Sequence, residues 1–380
     1  TNYSFSYSTA ALTITQLSLL TITANSPSAI TYGAPTPANG FTTVGLASND
    51  AISSMTYTYT GSGSTSYGPS TTAPSLPGTY TITPSAAVFS AGAASNYATV
   101  TYATGTLTIN AATLVITAAN PANFAYGETK QADTFTATGL NATDVITGLT
   151  YTYRGTGLTS YGPSTTVPTQ VGTYSVTPSA VTFANAGSAS NYTTITYNIG
   201  TFAITKKALT VTPNNINIAY GTSSPTYTFS VSGFNPGEST SNAAGYVAPT
   251  CSSSGYSATN ATGTTSSITC SGGSANNYSF TTSATATATV TQAQLSVTPA
   301  AKSVSYGDPL PSLTFVVNGF ANGQSASTAA SYVAPTCTTT PSYTRTTNVG
   351  TSVTISCSGG SATNYSFSYS TAALTITQLS

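Results

Sequence analysis

Residues 191–213 read NYTTITYNIGTFAITKKALTVTP, and three runs within them decide the fold. Thr193-Thr194-Ile195-Thr196-Tyr197, Thr201-Phe202-Ala203-Ile204 and Leu209-Thr210-Val211-Thr212 are short, β-branched and of period two, the pattern of half-buried strands. In the middle run Phe202 and Ile204 should face one side and Thr201 and Ala203 the other. Only Thr205-Lys206-Lys207-Ala208 separates that run from the next, with neither Gly nor Pro. One strand-rich unit should therefore close and another open across about four residues, a joint too short and stiff for free hinge motion.

Similar runs precede this stretch: Leu114-Val115-Ile116-Thr117, Thr134-Phe135-Thr136-Ala137, Leu149 to Tyr153 and Gly172-Thr173-Tyr174-Ser175-Val176. Six or seven short strands in under about 100 residues indicate a β-sandwich. The junction itself recurs at Ile109 to Leu114 and at Val290 to Leu295. A Tyr-Gly pair marks the same rhythm, at Tyr32, Tyr126, Tyr220 and Tyr306, in steps of 94, 94 and 86 residues. A second Tyr-Gly, at Tyr67 and Tyr161, is again 94 apart, and Asn-Tyr recurs at Asn96, Asn191, Asn277 and Asn364. The expected class is all-β, with tandem β-sandwiches arranged as a rod.

A longer period lies over this one. TNYSFSYSTAALTITQLS occupies both 1–18 and 363–380, an offset of 362 residues that holds four modules. Such identity implies either near-identical copies of a 362-residue unit in a parent protein, the reading preferred here, or a separate duplication of the stretch. The organisation expected is 1–18 as the last strands of an incomplete preceding module, then modules at 19–112, 113–207, 208–294 and 295–380. Alone, the 1–18 hairpin is marginal at best, and needs a module before it or strands from another chain. At a rise of about 3.3 Å per residue a module would be some 25–40 Å long and a period roughly 100–160 Å.

Composition narrows the function. Charged residues make up 3% of the chain, six basic and six acidic, with no histidine, against roughly 25% in ordinary soluble domains. Nucleic-acid binding needs clustered Lys and Arg, and Lys206-Lys207 is the only adjacent pair. No apolar run is long enough for a membrane span. Roughly a third of the residues are Ser or Thr, so the surface hydrates through hydroxyls.

A catalytic centre is not expected. The acids are Asp50, Glu128, Asp133, Asp144, Glu238 and Asp308, and none pairs in sequence as an acid/base couple would. Without His no Ser-His-Asp set exists. Glu128, Lys130 and Asp133 read as a solvated turn. Calcium would need carboxylates at each joint, and the four-residue linkers carry none. Lys-to-Asn staples cannot be general, since residues 1–129 contain no Lys. No metal or cofactor is expected. In the Tyr-Gly pairs, Gly should supply a positive φ and Tyr should cover the core edge with its hydroxyl in water.

The set Leu209-Thr210-Val211-Thr212-Pro213, Ala219-Tyr220-Gly221, Val231-Ser232-Gly233-Phe234, Val171 to Pro178, Asn191-Tyr192 and Gly200 to Ile204 resembles the MBG domain. That is a mostly bacterial immunoglobulin-like repeat of large surface proteins, and the resemblance covers essentially the whole chain. In that family the Gly is often followed by an acid and Pro; Gly307-Asp308-Pro309 keeps this, while Gly33-Ala34-Pro35 and Gly221-Thr222-Ser223 depart from it. The family implies spacing or presentation, and has no catalytic residues to carry over.

Cys251 and Cys270 fall in the third module, Cys337 and Cys357 in the fourth, 19 and 20 residues apart. Val247, Pro249 and Cys251 share a phase, as do Val333, Pro335 and Cys337, and Ile268 with Cys270 and Ile355 with Cys357 do likewise. The four thiols should point inward. A disulfide across or within each sandwich is the leading reading, with free buried thiols as the alternative; zinc lacks a ligand set. Pro84 and Pro178 align with Cys270 and Cys357 in the two modules without cysteine. Disulfides imply an oxidising place, so an extracellular or cell-surface, secreted protein is expected.

The function expected is a non-catalytic repeat segment of an extracellular filament or adhesin stalk, with itself as partner through adjacent repeats or subunits. The alternative is a set of adhesive modules binding cell-surface glycans through exposed tyrosines such as Tyr57, Tyr59, Tyr151 and Tyr153.

Overall fold

The computed structural model describes residues 2–185, 188–223, 225–282 and 285–379. Apart from two short 3-10 turns, the secondary structure of these residues is β-strand. They fall into two compact units, one of residues 1–124 and 129–204, the other of 125–128 and 205–380. The sheets come in pairs, a three-stranded and a four-stranded one each time, with the same strand order throughout.

In the first unit, Leu20–Ala24 is the centre of a three-stranded sheet, antiparallel to Phe41–Val44 and parallel to Val100–Ala103. Its partner sheet runs Ile30–Thr31, Gly105–Asn110, Gly78–Ala91, Ala51–Gly61. Period-two alternation buries Leu20, Ile22 and Ala24; Leu20 and Ile22 pack with Tyr97 against Ile52, Met55 and Phe89 of the facing layers. The second sandwich repeats the plan on Ala112–Ala118, between Phe135–Thr138 and Tyr192–Asn198. In its closing strand Gly200–Thr205, Phe202 and Ile204 are buried and Thr201 is exposed, as the alternation predicts.

In the second unit the central strands are Lys207–Pro213 and Ala293–Pro299. Their partner sheets run Ile216–Ala219, Ala286–Thr291, Thr265–Ser271, Thr250–Ser252 and Lys302–Ser305, Thr371–Thr377, Val353–Ser358, Thr336–Thr340. The junctions are tighter than the four residues expected. Only Ala111 separates Gly105–Asn110 from Ala112–Ala118, and only Gln292 separates Ala286–Thr291 from Ala293–Pro299. Each closing strand runs straight into the next opening strand because alternation continues through the junction.

Residues 2–16, expected to need a preceding module or another chain to pair, form no hairpin by themselves. Residues 2–16 carry no strand, and Tyr3, Phe5, Tyr7, Leu12 and Ile14 are 82–91% exposed. Leu17 alone bridges to Tyr97. A hairpin with no sheet to cover its apolar face has nothing to offset its ordering entropy.

Candidate functional site: tyrosine and carboxylate joints

The chemistry-bearing side chains gather where one sandwich meets the next. Within the first unit, Gly33 adopts φ +89°, turning the chain so that Tyr32 leaves its own sheet and reaches Asp144 of the second sandwich. Its hydroxyl donates to both oxygens of Asp144 at 3.2 Å, and its ring meets Tyr192 edge-on at 5.9 Å. Tyr192 donates to Asp144 at 2.7 Å and accepts from the backbone N–H of Asn141 at 3.1 Å. Asp144 is buried, so its carboxylate exchanges water for two phenol donors.

The second unit repeats the device. Tyr126 donates to Glu238 at 2.9 Å and meets Tyr278 edge-on at 5.4 Å; Tyr278 also donates to Glu238 and accepts from the Asn235 N–H at 3.0 Å. Farther along, Tyr220 meets Tyr365 edge-on at 5.5 Å. There the acceptor is the neutral Gln324, 2.7 Å from the Tyr365 hydroxyl, and the Ala321 N–H donates to that hydroxyl at 3.0 Å. A Cβ on Gly221 would collide with that of Ala321, so glycine here serves close approach as well as φ. In the first sandwich Tyr97 donates to Asp50 at 2.8 Å and accepts from the Ala47 N–H.

Burial, and then the hydrogen bond to a carboxylate, push the phenols of Tyr192 and Tyr278 up to about 12. Tyr126 is raised by burial and then by Glu238, and Tyr365 chiefly by burial. The Tyr-Gly hydroxyls are therefore not placed as expected: Tyr32 and Tyr126 end on carboxylates of the following sandwich instead of in water. The acceptors themselves went unread. Asp50, Asp144 and Glu238 are spaced by 94 and 94 residues, and Gln324 follows 86 later. The repeat period was thus a signal for them.

Two further expectations are overturned. Lys130 and Asp133 do not form a solvated turn: their side chains are 5% and 10% exposed and 2.5 Å apart, with Lys130 over the rings of Tyr153 and Phe202. Tyr153 donates to Asp133, as Tyr59 donates to the equivalent Asn39 at 2.8 Å. For the same reason the tyrosines proposed for glycans are not exposed. Tyr59 and Tyr153 are buried, and Tyr57 and Tyr151 are half-buried, because the long strands that carry them lie over the core.

The cysteines pair within each module, Cys251 with Cys270 and Cys337 with Cys357. Each bond joins directly opposed residues of adjacent antiparallel strands, so it lies within one sheet. Cys270 and Cys357 are buried and Cys251 and Cys337 half-buried. Val247 and Val333, expected inward with them, are 59% and 57% exposed, since each precedes its strand and makes only an isolated bridge, to Ser274 and Ser361. Where the cysteines are absent, Tyr57 stands opposite Pro84 and Tyr151 opposite Pro178, at the register position of the disulfides.

A cleft of about 570 Å³ opens beside Tyr32 in the first unit, lined by apolar Ile30, Leu76 and Ile109 together with polar Asn141, Asn185 and Ser188. Among the described residues no three of His, Cys, Asp and Glu come together as a metal group. No helix is long and apolar enough to cross a membrane, which says nothing of β-barrels.

No curated protein matches the chain. Among solved structures it is similar to the I9–I11 tandem of titin, at 12% identity over 68% of this chain and 98% of that one, TM-score 0.20. It is also similar to the four N-terminal Ig domains of Dscam1 isoform 4.44, at 10% identity over 71% and 74%, TM-score 0.20. A third likeness is to immunoglobulin domains 1–5 of Sidekick-1, at 9% identity over 93% and 77%, TM-score 0.17. The profile of the MBG domain, YGX type, matches residues 20–108, 209–289 and 295–375. That match covers more than half of the residues, and three of the Tyr-Gly pairs, at Tyr32, Tyr126 and Tyr220, stand at joints; the chain belongs to the MBG family.

Proposed function

We propose that the protein is a non-catalytic repeat segment of an extracellular stalk or filament whose task is to bear tension. The observation that carries this reading is strand direction. In the first, third and fourth sandwiches, both strands near the start pair in parallel with the strands near the end. These pairs are Leu20–Ala24 with Val100–Ala103 and Ile30–Thr31 with Gly105–Asn110. They recur as Lys207–Pro213 with Tyr278–Thr282 and Ile216–Ala219 with Ala286–Thr291, and again in the fourth. Force enters at the head of the first strand and leaves at the tail of the last, so parallel partners are sheared and their hydrogen bonds share the load. The buried joints and the within-sheet disulfides support the same reading, and the disulfides fit an oxidising compartment.

Single-molecule stretching of the chain tests it. Discrete unfolding events are expected, each long module releasing about 330 Å of chain at roughly 3.5 Å per residue. The disulfide modules should each hold back about 65 Å of their own length until a reductant opens the loops of 19 and 20 residues. Featureless extension at low force would exclude a tension-bearing role.

A glycan-binding reading has one observation in its favour, the cleft beside Tyr32, whose wall mixes apolar Ile30, Leu76 and Ile109 with Asn141 and Asn185. Loss of glycan-array binding on Asn185→Ala would support it; a blank array would exclude it.

A further inference from the structure

Each acceptor of the tyrosine pairs, Asp50, Asp144, Glu238 and Gln324, closes a turn in which its N–H bonds the carbonyl three residues earlier. The two middle residues of these turns are Ser48-Asn49, Ala142-Thr143, Pro236-Gly237 and Asn322-Gly323. Only the last is Asn-Gly, the pair in which an asparagine side chain meets the next backbone nitrogen most freely, since glycine puts no side chain over that nitrogen. Asn322 and Gly323 are both exposed. Among the described residues the Gly323 N–H makes no hydrogen bond, and a Cβ added there would meet nothing within 4 Å. The chain's two other Asn-Gly pairs are held. Asn39 accepts from the Tyr59 hydroxyl, and a Cβ at Gly40 would come within 2.5 Å of Asn25. Asn318 is paired with Ser296 in a ladder, and a Cβ at Gly319 would come within 2.6 Å of the Gln294 carbonyl.

We propose that Asn322 is a site of spontaneous covalent modification that loosens the joint between the third and fourth sandwiches as the protein ages. The Gly323 backbone nitrogen attacks the Asn322 side-chain carbonyl carbon and closes a five-membered imide. The side-chain nitrogen leaves as ammonia, carrying the proton from the Gly323 N–H. Water then opens the imide at either carbonyl, giving aspartate or, with the main chain rerouted through the side chain, isoaspartate. Water is the only co-reactant. At the preceding joint Asn235 is followed by Pro236, whose nitrogen has no proton to lose.

The site bears directly on the joint. Asn322 Nδ2 donates to the Ala258 carbonyl of the third sandwich at 3.0 Å, and that carbonyl also accepts from the Gly221 N–H at 3.1 Å. Either product replaces the amide donor with a carboxylate, which at neutral pH can only accept, and sets its charge beside the Ala258 oxygen. Isoaspartate also adds one main-chain atom ahead of Gln324, whose Oε1 lies 2.7 Å from the Tyr365 hydroxyl. The inference rests on these bonds and is independent of whether the chain carries tension.

Peptide mapping of the full chain stored in neutral to mildly alkaline buffer tests it. Aspartate and isoaspartate should accumulate at residue 322 ahead of residues 39 and 318. In the aged chain, hydrogen-exchange protection of the Gly221 N–H should fall roughly tenfold, the effect of weakening one hydrogen-bonded contact, with the first unit unchanged. Fresh Asn322→Asp chain should show the same loss, and Asn322→Gln chain should lose no protection on storage. Residue 322 intact after residue 39 or 318 has converted, unchanged protection at Gly221 after conversion, or an equal loss in stored Asn322→Gln chain would each overturn the proposal.

Discussion

At the scale of single residues, the joints are held by phenols sharing one acceptor. Tyr32 and Tyr192 both depend on Asp144, so Asp144→Ala leaves two buried hydroxyls unmatched and should lower unfolding stability by about 2–3 kcal/mol. A lower urea midpoint for the full chain measures it, and Asp144→Asn, which keeps an acceptor oxygen, should lose less. The phenols also set an alkaline limit. Tyr192 and Tyr278 ionise near 10 when unfolded and at about 12 when folded, so the folded state holds their protons more tightly. Their contribution is complete below pH 10 and is lost as pH rises towards about 12. Urea midpoints stepped through that window should fall, and less steeply for Tyr192→Phe. Much of this was legible from the Tyr-Gly and Asn-Tyr rulers. The acceptors carried only the repeat spacing as a signal and their partners none, because Tyr32 and Asp144 are 112 residues apart in sequence and proximity across a joint leaves no local pattern.

At the scale of elements, two solutions occupy one register position. In the third and fourth sandwiches a disulfide links short strands, Thr250–Ser252 to Thr265–Ser271 and Thr336–Thr340 to Val353–Ser358. In the first, a Tyr57–Pro84 pair sits on strands of 11 and 14 residues, where longer pairing substitutes for the covalent bond. Reduction should therefore cost the cysteine-bearing sandwiches about 3 kcal/mol each and leave the others unchanged. Hydrogen exchange with and without reductant, resolved by peptide, separates the two outcomes. Alternation made the strands legible, including Phe202 and Ile204 facing inward. Their lengths were not, since Pro84 reads as a strand stop. Beyond Ile82, Gly78–Ala91 has a ladder partner on one side only, where proline is tolerated.

At the scale of the molecule, charge contributes little. The only ion pair among the described residues is Lys130–Asp133, and it is buried. Raising salt from low to physiological strength and beyond should move the unfolding free energy by less than about 0.5 kcal/mol, as denaturation across a salt series would show. The count of sandwiches was legible in the Tyr-Gly period even where the family profile is silent: the second sandwich lies outside the matched residues and has the same strand order as the first.

The disulfides have a consequence for how the chain folds as it is made. Cys251 and Cys270 lie on neighbouring strands 19 residues apart, so their hairpin can be locked as soon as both have emerged. The parallel pairing of Lys207–Pro213 with Tyr278–Thr282 must wait for a chain loop several times longer, and such non-local pairing is slow. In the shorter sandwiches the covalent hairpin is thus a nucleus ready before the last strand arrives, and oxidation sets the order of events as well as the final stability.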